Sequence, residues 1–178
     1  ESGSGKTTLV NLVSGLLKPN AGHVLIDGIG HEELNVTSFQ SRIGYISQDP
    51  VMFNDTIFNN VTFWAAPTEA NQSRFWASLS KAALTDFIGT LPEQDQTLLG
   101  NNGINLSGGQ KQRISIAREL YKDIDILILD EATSALDSET EREIQENIDA
   151  LKGTYTILII AHRLATIKKA DTIYLMAK

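Results

Sequence analysis

The chain opens with a glycine-rich stretch, Ser2-Gly3-Ser4-Gly5-Lys6-Thr7-Thr8, immediately before a run with helical periodicity. This stretch matches the end of the pattern G-x-x-x-x-G-K-[ST], whose glycines allow backbone N–H groups to turn toward phosphate oxygens. In that pattern the lysine, here Lys6, reaches the β- and γ-phosphates, and the hydroxyl of Thr7 binds Mg²⁺. The first glycine of the pattern falls one position before Glu1, so we expect the chain to begin inside this loop. The alternative is a glycine turn that caps an amphipathic helix.

Two carboxylates follow a continuous apolar run at residues 124–129. An apolar run of this length is typical of a strand that is buried on both faces of a parallel sheet. Ligands of open α/β sheets bind at the carboxyl ends of the strands, which is where Asp130 and Glu131 are expected to lie. Asp130 suits a Mg²⁺ ligand, direct or through water, and Glu131 could orient or deprotonate an attacking water. The alternative is a strand that simply ends in solvent, where acidic residues are common.

Three further polar sites lie beside predicted strands or helices. Gln48 follows a predicted strand at residues 43–47, and His162 follows another at residues 156–161. The stretch Ser107-Gly108-Gly109-Gln110 precedes a predicted helix, where adjacent glycines can expose backbone N–H groups to an anion. Taken singly, the glutamine is usually a turn residue, the histidine a structural group and the serine a helix N-cap. Together with the carboxylates and the glycine-rich loop, they predict one nucleotide-binding pocket.

The elements that must position these residues alternate between helices and strands. A helix is predicted over residues 6–17, because Leu9, Leu12, Val13, Leu16 and Leu17 share one helical face. Strands are predicted at residues 23–26, 43–47, 124–129, 156–161 and 172–176, and residues 28–40 are predicted to be loop with one turn of helix. Further helices are predicted around residues 73–88, over 108–121 and after 138. This alternation indicates an α/β domain with a mostly parallel sheet flanked by helices, plus a helical lobe at about residues 67–121.

Composition and charge exclude several classes of protein. The 178 residues suit one domain, and 42% hydrophobic with 21% charged residues is ordinary for a globular chain. A net charge of -7 argues against a nucleic-acid-binding face, which is normally basic. Without cysteine, neither disulfides nor thiol metal sites are possible. No apolar run approaches the roughly 18 residues that indicate a membrane span. Because the chain starts inside a loop and stops after a strand-like run, we expect a fragment cut at both ends.

The chain resembles the nucleotide-binding domain of ATP-binding-cassette (ABC) transporters in five motifs, SGSGKTT, ISQDP, LSGGQKQRISIAR, ILILDEATSALD and AHR, in this order. The resemblance covers essentially the whole chain, and LSGGQ is the family's own signature. It implies a P-loop NTPase fold in which a helical subdomain carries the signature. It also implies ATP and Mg²⁺ as cofactors, and ATP hydrolysis coupled to transport by two such domains that sandwich two ATP molecules head to tail.

The resemblance further implies a role for each motif residue. The glycine-rich loop matches the family's phosphate loop, and Gln48 matches the glutamine that contacts Mg²⁺ and senses the membrane domain. The stretch from Ser107 to Gln110 matches the signature that reaches across to the partner's ATP. Asp130 matches the magnesium-binding aspartate, Glu131 the catalytic glutamate and His162 the switch histidine near the γ-phosphate. Residues 134–137 resemble the D-loop, which lies at the dimer interface in this family.

Two stretches outside the five motifs resemble the exporter branch of the family. The stretch Phe53-Asn54-Asp55-Thr56-Ile57 is similar to the segment that follows the glutamine in exporters, and residues 97–103 are similar to the segment before the signature. Exporters usually carry a glutamate where this chain has Asn101, a departure that concerns coupling to the membrane helices and not ATP chemistry. The implied partners are a transmembrane domain, fused or separate, and a second nucleotide-binding domain, identical or different. The implied location is the cytoplasmic face of a membrane.

Two other functions are weighed against the export ATPase. The first is an ATPase without transport, as in soluble ABC proteins of DNA repair or translation. The chromosome-organising kind carry a long coiled coil between phosphate loop and signature, whereas this chain shows no heptads there and is acidic. A degenerate module that binds ATP without hydrolysis typically loses the catalytic glutamate, the switch histidine or the signature glycines. This chain retains Glu131, His162, Gly108 and Gly109. The 178 residues alone are expected to turn over little ATP, because the first loop glycine and the family's adenine-stacking aromatic residue are missing.

Overall fold

The computed structural model describes residues 4–132, 138–161, 167 and 169–176. In chain order its helices and strands are α1 (Lys6–Val13), β1 (Leu25–Ile26), β2 (Ile29–Gly30), α2 (Val36–Ser41), β3 (Ile43–Ile46), α3 (Ile57–Thr62), α4 (Glu69–Lys81), α5 (Thr85–Gly89), α6 (Gly108–Tyr121), β4 (Ile126–Asp130), α7 (Ser138–Ala150) and β5 (Thr156–Ile160). Short 3₁₀ turns occupy His31–Glu33, Gln94–Gln96 and Asn101–Gly103. None of the helices in this described part is long and apolar enough to cross a membrane.

The central sheet is parallel, with β4 lying between β3 and β5 in the described residues. Ile46 of β3 lies opposite Leu129 of β4, and Asp130 of β4 lies opposite Ile160 of β5. Because the three strands run in one direction, their carboxyl ends meet at the same edge. The residues that follow these strands therefore lie at the same edge of the sheet, as the sequence predicts.

Alternation along β4 divides the core between the two faces of the sheet. Leu127 and Leu129 join a large cluster with residues of α3, α4, α6 and α7. Ile128 points to the other face and joins a small cluster with Val10, Ile43 and Ile160. Helix α1 and Phe39 of α2 therefore pack on one face of the sheet, and α3, α4, α6 and α7 pack on the other. A central strand covered on both faces is continuously apolar, which is why this run is readable from sequence.

Helix α1 ends four residues earlier than predicted. Gly15 has a left-handed backbone (φ +73°), and its N–H group donates to the carbonyl oxygen of Leu12. A glycine in this conformation ends a helix, because other residues pay a steric penalty there. Leu16 and Leu17 consequently lie outside the helix with 60% and 45% of their surface exposed, and the buried residue of α1 is Val10.

Three other predicted elements are corrected by the structure. The predicted helix over residues 73–88 is two helices, α4 and α5, interrupted where Ala83 adopts a positive φ of 52°. The stretch 28–40 contains a helical turn as predicted, in α2, but it also contains β2, which pairs with β1 across an Asp27-Gly28 turn in which both φ angles are positive. Residues 172–176 lie outside the sheet, and Ile173, Tyr174 and Leu175 are exposed. The division into one domain with a helical subdomain stays a prediction.

Candidate nucleotide-binding site

The glycine-rich loop runs into α1 through a left-handed turn. Gly5 is the N-cap of α1 with φ +87°, a conformation that a residue with a side chain adopts only at a cost. The turn directs the first N–H groups of the helix out of its amino end, which also carries the positive end of the helix dipole. The half-buried Lys6 Nζ lies 3.4 Å from Ser4 Oγ, and Thr7 and Thr8 are exposed. This arrangement suits an anion such as phosphate.

One of the two acidic residues ends β4, and the other follows it directly. Asp130 is the last residue of the strand, and its Oδ2 accepts a hydrogen bond of 2.9 Å from the hydroxyl of Tyr45. Burial, together with this bond to Asp130, raises the pKa of Tyr45 to about 12, so its hydroxyl is a donor at neutral pH. Glu131 lies beyond the strand with φ +52°, and its N–H group donates to the Ile160 carbonyl at 3.1 Å. The chain therefore turns sharply between the two carboxylates.

Gln48 is exposed just beyond β3, in a segment that α6 holds on both sides. The buried side chain of Gln112 donates to the Ser47 carbonyl at 3.3 Å, one residue before Gln48. Three residues after Gln48, the Val51 carbonyl accepts a hydrogen bond of 2.9 Å from Arg118. Because both donors belong to α6, this helix fixes the backbone that carries Gln48.

The signature residues form the amino end of α6. Ser107 Oγ accepts from the Gln110 N–H at 3.2 Å, and the Ser107 N–H donates to Gln110 Oε1 at 2.8 Å, a reciprocal capping box. Ser107 is therefore the N-cap of α6, which was one of the two roles that the sequence allowed for it. The cap does not exclude a second role, since Gly108 is exposed and a Cβ atom built on it would meet no atom within 4 Å.

Comparison with known proteins identifies the family. Residues 1–134 match the family model described as ABC transporter. The chain belongs to the ABC transporter family. It is 49% identical over 176 residues to an ATP-dependent lipid A-core flippase of Cupriavidus metallidurans and 49% identical over 175 residues to the flippase of that name from Paraburkholderia xenovorans. Each match covers 98% of this chain but only 30% and 29% of the respective relatives, so the chain spans less than a third of their length.

A solved structure confirms the fold class of this ABC transporter chain. A bacterial Atm1-family ABC exporter with ATP bound superposes with a TM-score of 0.83 and 41% sequence identity, over 94% of this chain and 29% of the exporter chain. The α/β fold with a parallel sheet and flanking helices is therefore confirmed, as is the exporter-type resemblance. ABC transporter domains bind ATP, and the glycine-rich loop described above has the form that this requires.

Several predicted site residues of the ABC transporter chain lie outside the described part of the structure. These residues are Ser2, Gly3, His162 and the stretch 134–137. The described residues bring Gln48, Asp130 and Glu131 to one edge of the sheet, and α1 packs on the same sheet. The signature residues, from Ser107 to Gln110, lie instead at the start of α6.

The donor atoms that the sequence assigns to Mg²⁺ are all hard oxygens, from the hydroxyl of Thr7, the amide of Gln48 and the carboxylate of Asp130. Within the described residues, no group of three or more His, Cys, Asp or Glu side chains forms a metal cage. Mg²⁺ in nucleotide sites is held by one or two carboxylates together with substrate phosphates and waters rather than by such a cage. A single oriented aspartate beside a phosphate loop therefore fits this ion.

Sequence reasoning missed a buried arginine that ties α6 to the segment after Gln48. Arg118 is only 7% exposed, and it donates to the carbonyl oxygens of Asn60 at 2.7 Å and Val51 at 2.9 Å. Its guanidinium also lies over the rings of Phe53 and Phe63, at 5.6 and 5.3 Å. Burial lowers the pKa of Arg118 from its usual value. The available signal was its i+4 spacing from Ile114, which places it on the apolar face of α6.

Proposed function

We propose that this chain binds MgATP and hydrolyses it to drive export through a membrane domain. The observation that carries the proposal is the end of β4, where Asp130 closes the strand and Glu131 turns away from it. This edge also receives Gln48 after β3, so two carboxylates and an amide meet beside the sheet that α1 packs on. The 41% identity to an exporter with ATP bound supports the same conclusion.

Each residue of the site has a chemical task in this proposal. The N–H groups after Gly5 and the ammonium of Lys6 bind the phosphates, in the manner of a helix amino end. Thr7, Gln48 and Asp130 offer oxygens to Mg²⁺, which supplies positive charge against the phosphate oxygens when it is bound. Glu131 aligns the attacking water or accepts its proton. His162 is proposed to contact the γ-phosphate.

We also propose that two such domains, identical or different, close head to tail over two ATP molecules. Gly108 supports this arrangement, because it is exposed at the amino end of α6 and a Cβ atom built on it would meet nothing within 4 Å. The half-buried Gly109 and Gln110 follow it in the first turn of the helix. A helix amino end that presents glycines can approach the phosphates of a partner's ATP.

The membrane domain is proposed to dock on a surface beside the segment after Gln48. Four large apolar side chains are exposed there, namely Val51 at 62%, Trp64 at 50%, Leu98 at 59% and Ile104 at 77%. The backbone joins the two stretches that carry them, since the Leu99 N–H donates to the Asp55 carbonyl at 3.0 Å. Exposed apolar side chains grouped in this way mark interaction sites. The domain would then lie on the cytoplasmic face of a membrane.

The test is Glu131→Gln in the full-length protein that contains this chain. The glutamine preserves size and hydrogen bonding but removes the base, so phosphate release should fall by about two orders of magnitude or more. MgATP affinity should stay within a few-fold of wild type, and an ATP-bound dimer should accumulate in size-exclusion chromatography. Asp130→Asn should instead weaken binding that depends on Mg²⁺.

Glu93→Gln is the matched control, because Glu93 is an exposed acidic residue outside the site and its loss should change neither quantity. Near-normal turnover by Glu131→Gln would refute the assignment of the base. A wild-type protein that binds ATP but releases no phosphate would favour the degenerate module instead.

A further inference from the structure

The hydroxyl of Tyr45 reaches the carboxylate that the proposed function assigns to Mg²⁺. It donates to Asp130 Oδ2 at 2.9 Å, and both side chains are half-buried. Tyr45 pairs with Ile128 across β3 and β4, and Asp130 is two residues beyond Ile128. Because side chains two residues apart share one face of a strand, all three residues lie on the same face. This is the face on which α1, the helix of the glycine-rich loop, packs through Val10.

Tyr45 is held by its ring on one face of the sheet and by its backbone N–H group through a residue of α6. On the α1 face its ring packs against the cluster that contains Val10, Ile43 and Ile128. On the other face its backbone N–H donates to Glu119 Oε2 at 3.2 Å, and this buried carboxylate also accepts from Lys122 Nζ at 2.6 Å. A side chain with two rotatable angles that is fixed in this way loses little further entropy when it makes a hydrogen bond.

The absence of a side chain at Gly44 allows this arrangement. A Cβ atom at position 44 would lie 2.8 Å from Ile124 Cδ1 and 3.1 Å from Glu119 Cβ, so a larger residue would force one or both of these neighbours to shift. The close approach lets the Glu119 carboxylate reach the next residue's N–H group. The packing of the ring and the backbone bond thus place Tyr45 where its hydroxyl reaches Asp130.

We propose that Tyr45 is a positioning residue for the metal-binding carboxylate. The inference rests on the proposed function, in which Asp130 is a ligand of Mg²⁺ or of its water. A carboxylate has two oxygens, and the phenol engages Oδ2, which leaves Oδ1 for the ion. Hydrogen bonds of this kind orient metal-binding carboxylates, and their removal typically costs about 10- to 100-fold in metal affinity or activity.

The experiment compares Tyr45→Phe with wild type in the full-length protein. The variant keeps the ring and its packing and removes only the hydroxyl. A fluorescent ATP analogue is titrated at increasing Mg²⁺, and its affinity is also measured in EDTA. The Mg²⁺ concentration for half-maximal binding should rise about tenfold, whereas the affinity in EDTA should stay within twofold. Tyr45→Leu, which also lacks the hydroxyl but packs differently, should show the same rise whatever its melting temperature.

Tyr155→Phe is the matched control. Tyr155 is also half-buried and precedes β5 at the opposite edge of the sheet, where its hydroxyl lies 3.4 Å from Lys81 Nζ. Its loss should leave the Mg²⁺ requirement unchanged. The double variant Tyr45→Phe/Asp130→Asn should need no more Mg²⁺ than Asp130→Asn, because the tyrosine acts only through that carboxylate.

An unchanged or lower Mg²⁺ requirement in Tyr45→Phe would overturn the inference, as would a further rise in the double variant. Failure of the proposed function would give a different result, because binding of the ATP analogue to the wild-type protein would then not depend on Mg²⁺.

Discussion

Replacing Arg118 with methionine tests whether α6 holds the segment after Gln48. Methionine has a similar length and stays apolar, so it retains much of the packing against the rings of Phe53 and Phe63. It removes the donors to the Asn60 and Val51 carbonyls, at 2.7 and 2.9 Å, and leaves both oxygens without these bonds. The Asn60 side chain, which is fully buried, also loses a bond of 3.3 Å from Arg118.

The magnitude follows from these contacts. A hydrogen bond from a charged donor contributes about 1.5–3 kcal/mol, so the two shorter bonds together contribute about 3–6 kcal/mol. Part of this is offset, because a buried guanidinium has given up its hydration and methionine has none to lose. We therefore expect the free energy of local opening to fall by about 3 kcal/mol, which is a factor of about 100 in an equilibrium constant.

Hydrogen–deuterium exchange of peptides that cover residues 51–62 in the full-length protein measures this opening. Exchange there should accelerate by about two orders of magnitude, including at Phe53, whose N–H group donates to Asn60 Oδ1 at 2.8 Å. Arg74→Met is the control, since Arg74 also donates to a carbonyl, that of Tyr121 at 2.6 Å, but is exposed. Exchange in residues 51–62 within twofold of wild type in Arg118→Met would refute the reasoning.

Three further predictions concern other parts of the fold. Gly44→Ala should lower stability by about 1–3 kcal/mol in thermal or chemical unfolding, because its Cβ would crowd the side chains of Ile124 and Glu119. Gly89→Ala, with no atom within 4 Å of the new Cβ, should not. Gly108→Asp should leave the melting temperature unchanged or raised, because an acidic residue suits a helix amino end. It should cut ATP turnover at least tenfold if a partner's phosphates approach there, and turnover equal to wild type would contradict the head-to-tail dimer. A neighbouring asparagine side chain, a backbone N–H and the indole of Trp64 all donate to Asp55 and lower its pKa. The hydrogen bond from Trp64 is therefore fully present above the pKa of an unfolded aspartate. It is lost as the pH falls through the lower pKa that Asp55 has in the folded protein. Tryptophan fluorescence should therefore change with a midpoint below that of an ordinary aspartate, and Asp55→Ala should abolish the transition.

The elements predicted most accurately are those whose local signals agree with their packing. Helix α6 has the predicted bounds, because Ser107 supplies the cap and the apolar spacing runs to Tyr121. Strand β4 was readable because a central strand is apolar on both faces. The end of α1 was misjudged because the leucine spacing continues past Gly15, and a single glycine decides where the helix stops. The apolar residues 172–176 have the composition of a strand, but composition does not supply a neighbour to pair with.

The places of Asp130 and Glu131 at the end of β4 were predictable from the sequence, and the contacts around them were not. Asp130 and Glu131 stand out because two acids follow an apolar run. The bond between Tyr45 and Asp130 depends on which strands are neighbours and in what register, which no local pattern specifies. Arg118 looks like an ordinary charged residue of a helix until the fold brings carbonyl oxygens from two other segments to it.

Helix α6 is attached to the strand and loop around Gln48 at three points. Glu119 bonds to the Tyr45 N–H, Gln112 to the Ser47 carbonyl and Arg118 to the Val51 carbonyl. Two of these attachments lie near its carboxyl end, and Gly108 lies at the other end, roughly 17 Å away at 1.5 Å per residue.

Because α6 is bonded to the backbone on both sides of Gln48, a displacement of that backbone would move the helix. A tilt of about 10° about the Glu119 end displaces Gly108 by about 3 Å, which is the length of one hydrogen bond. A displacement around Gln48, the residue proposed to contact the chain's own nucleotide, would therefore move the end of α6 that is proposed to meet the nucleotide of the partner. The two nucleotides would then be mechanically linked through a single helix.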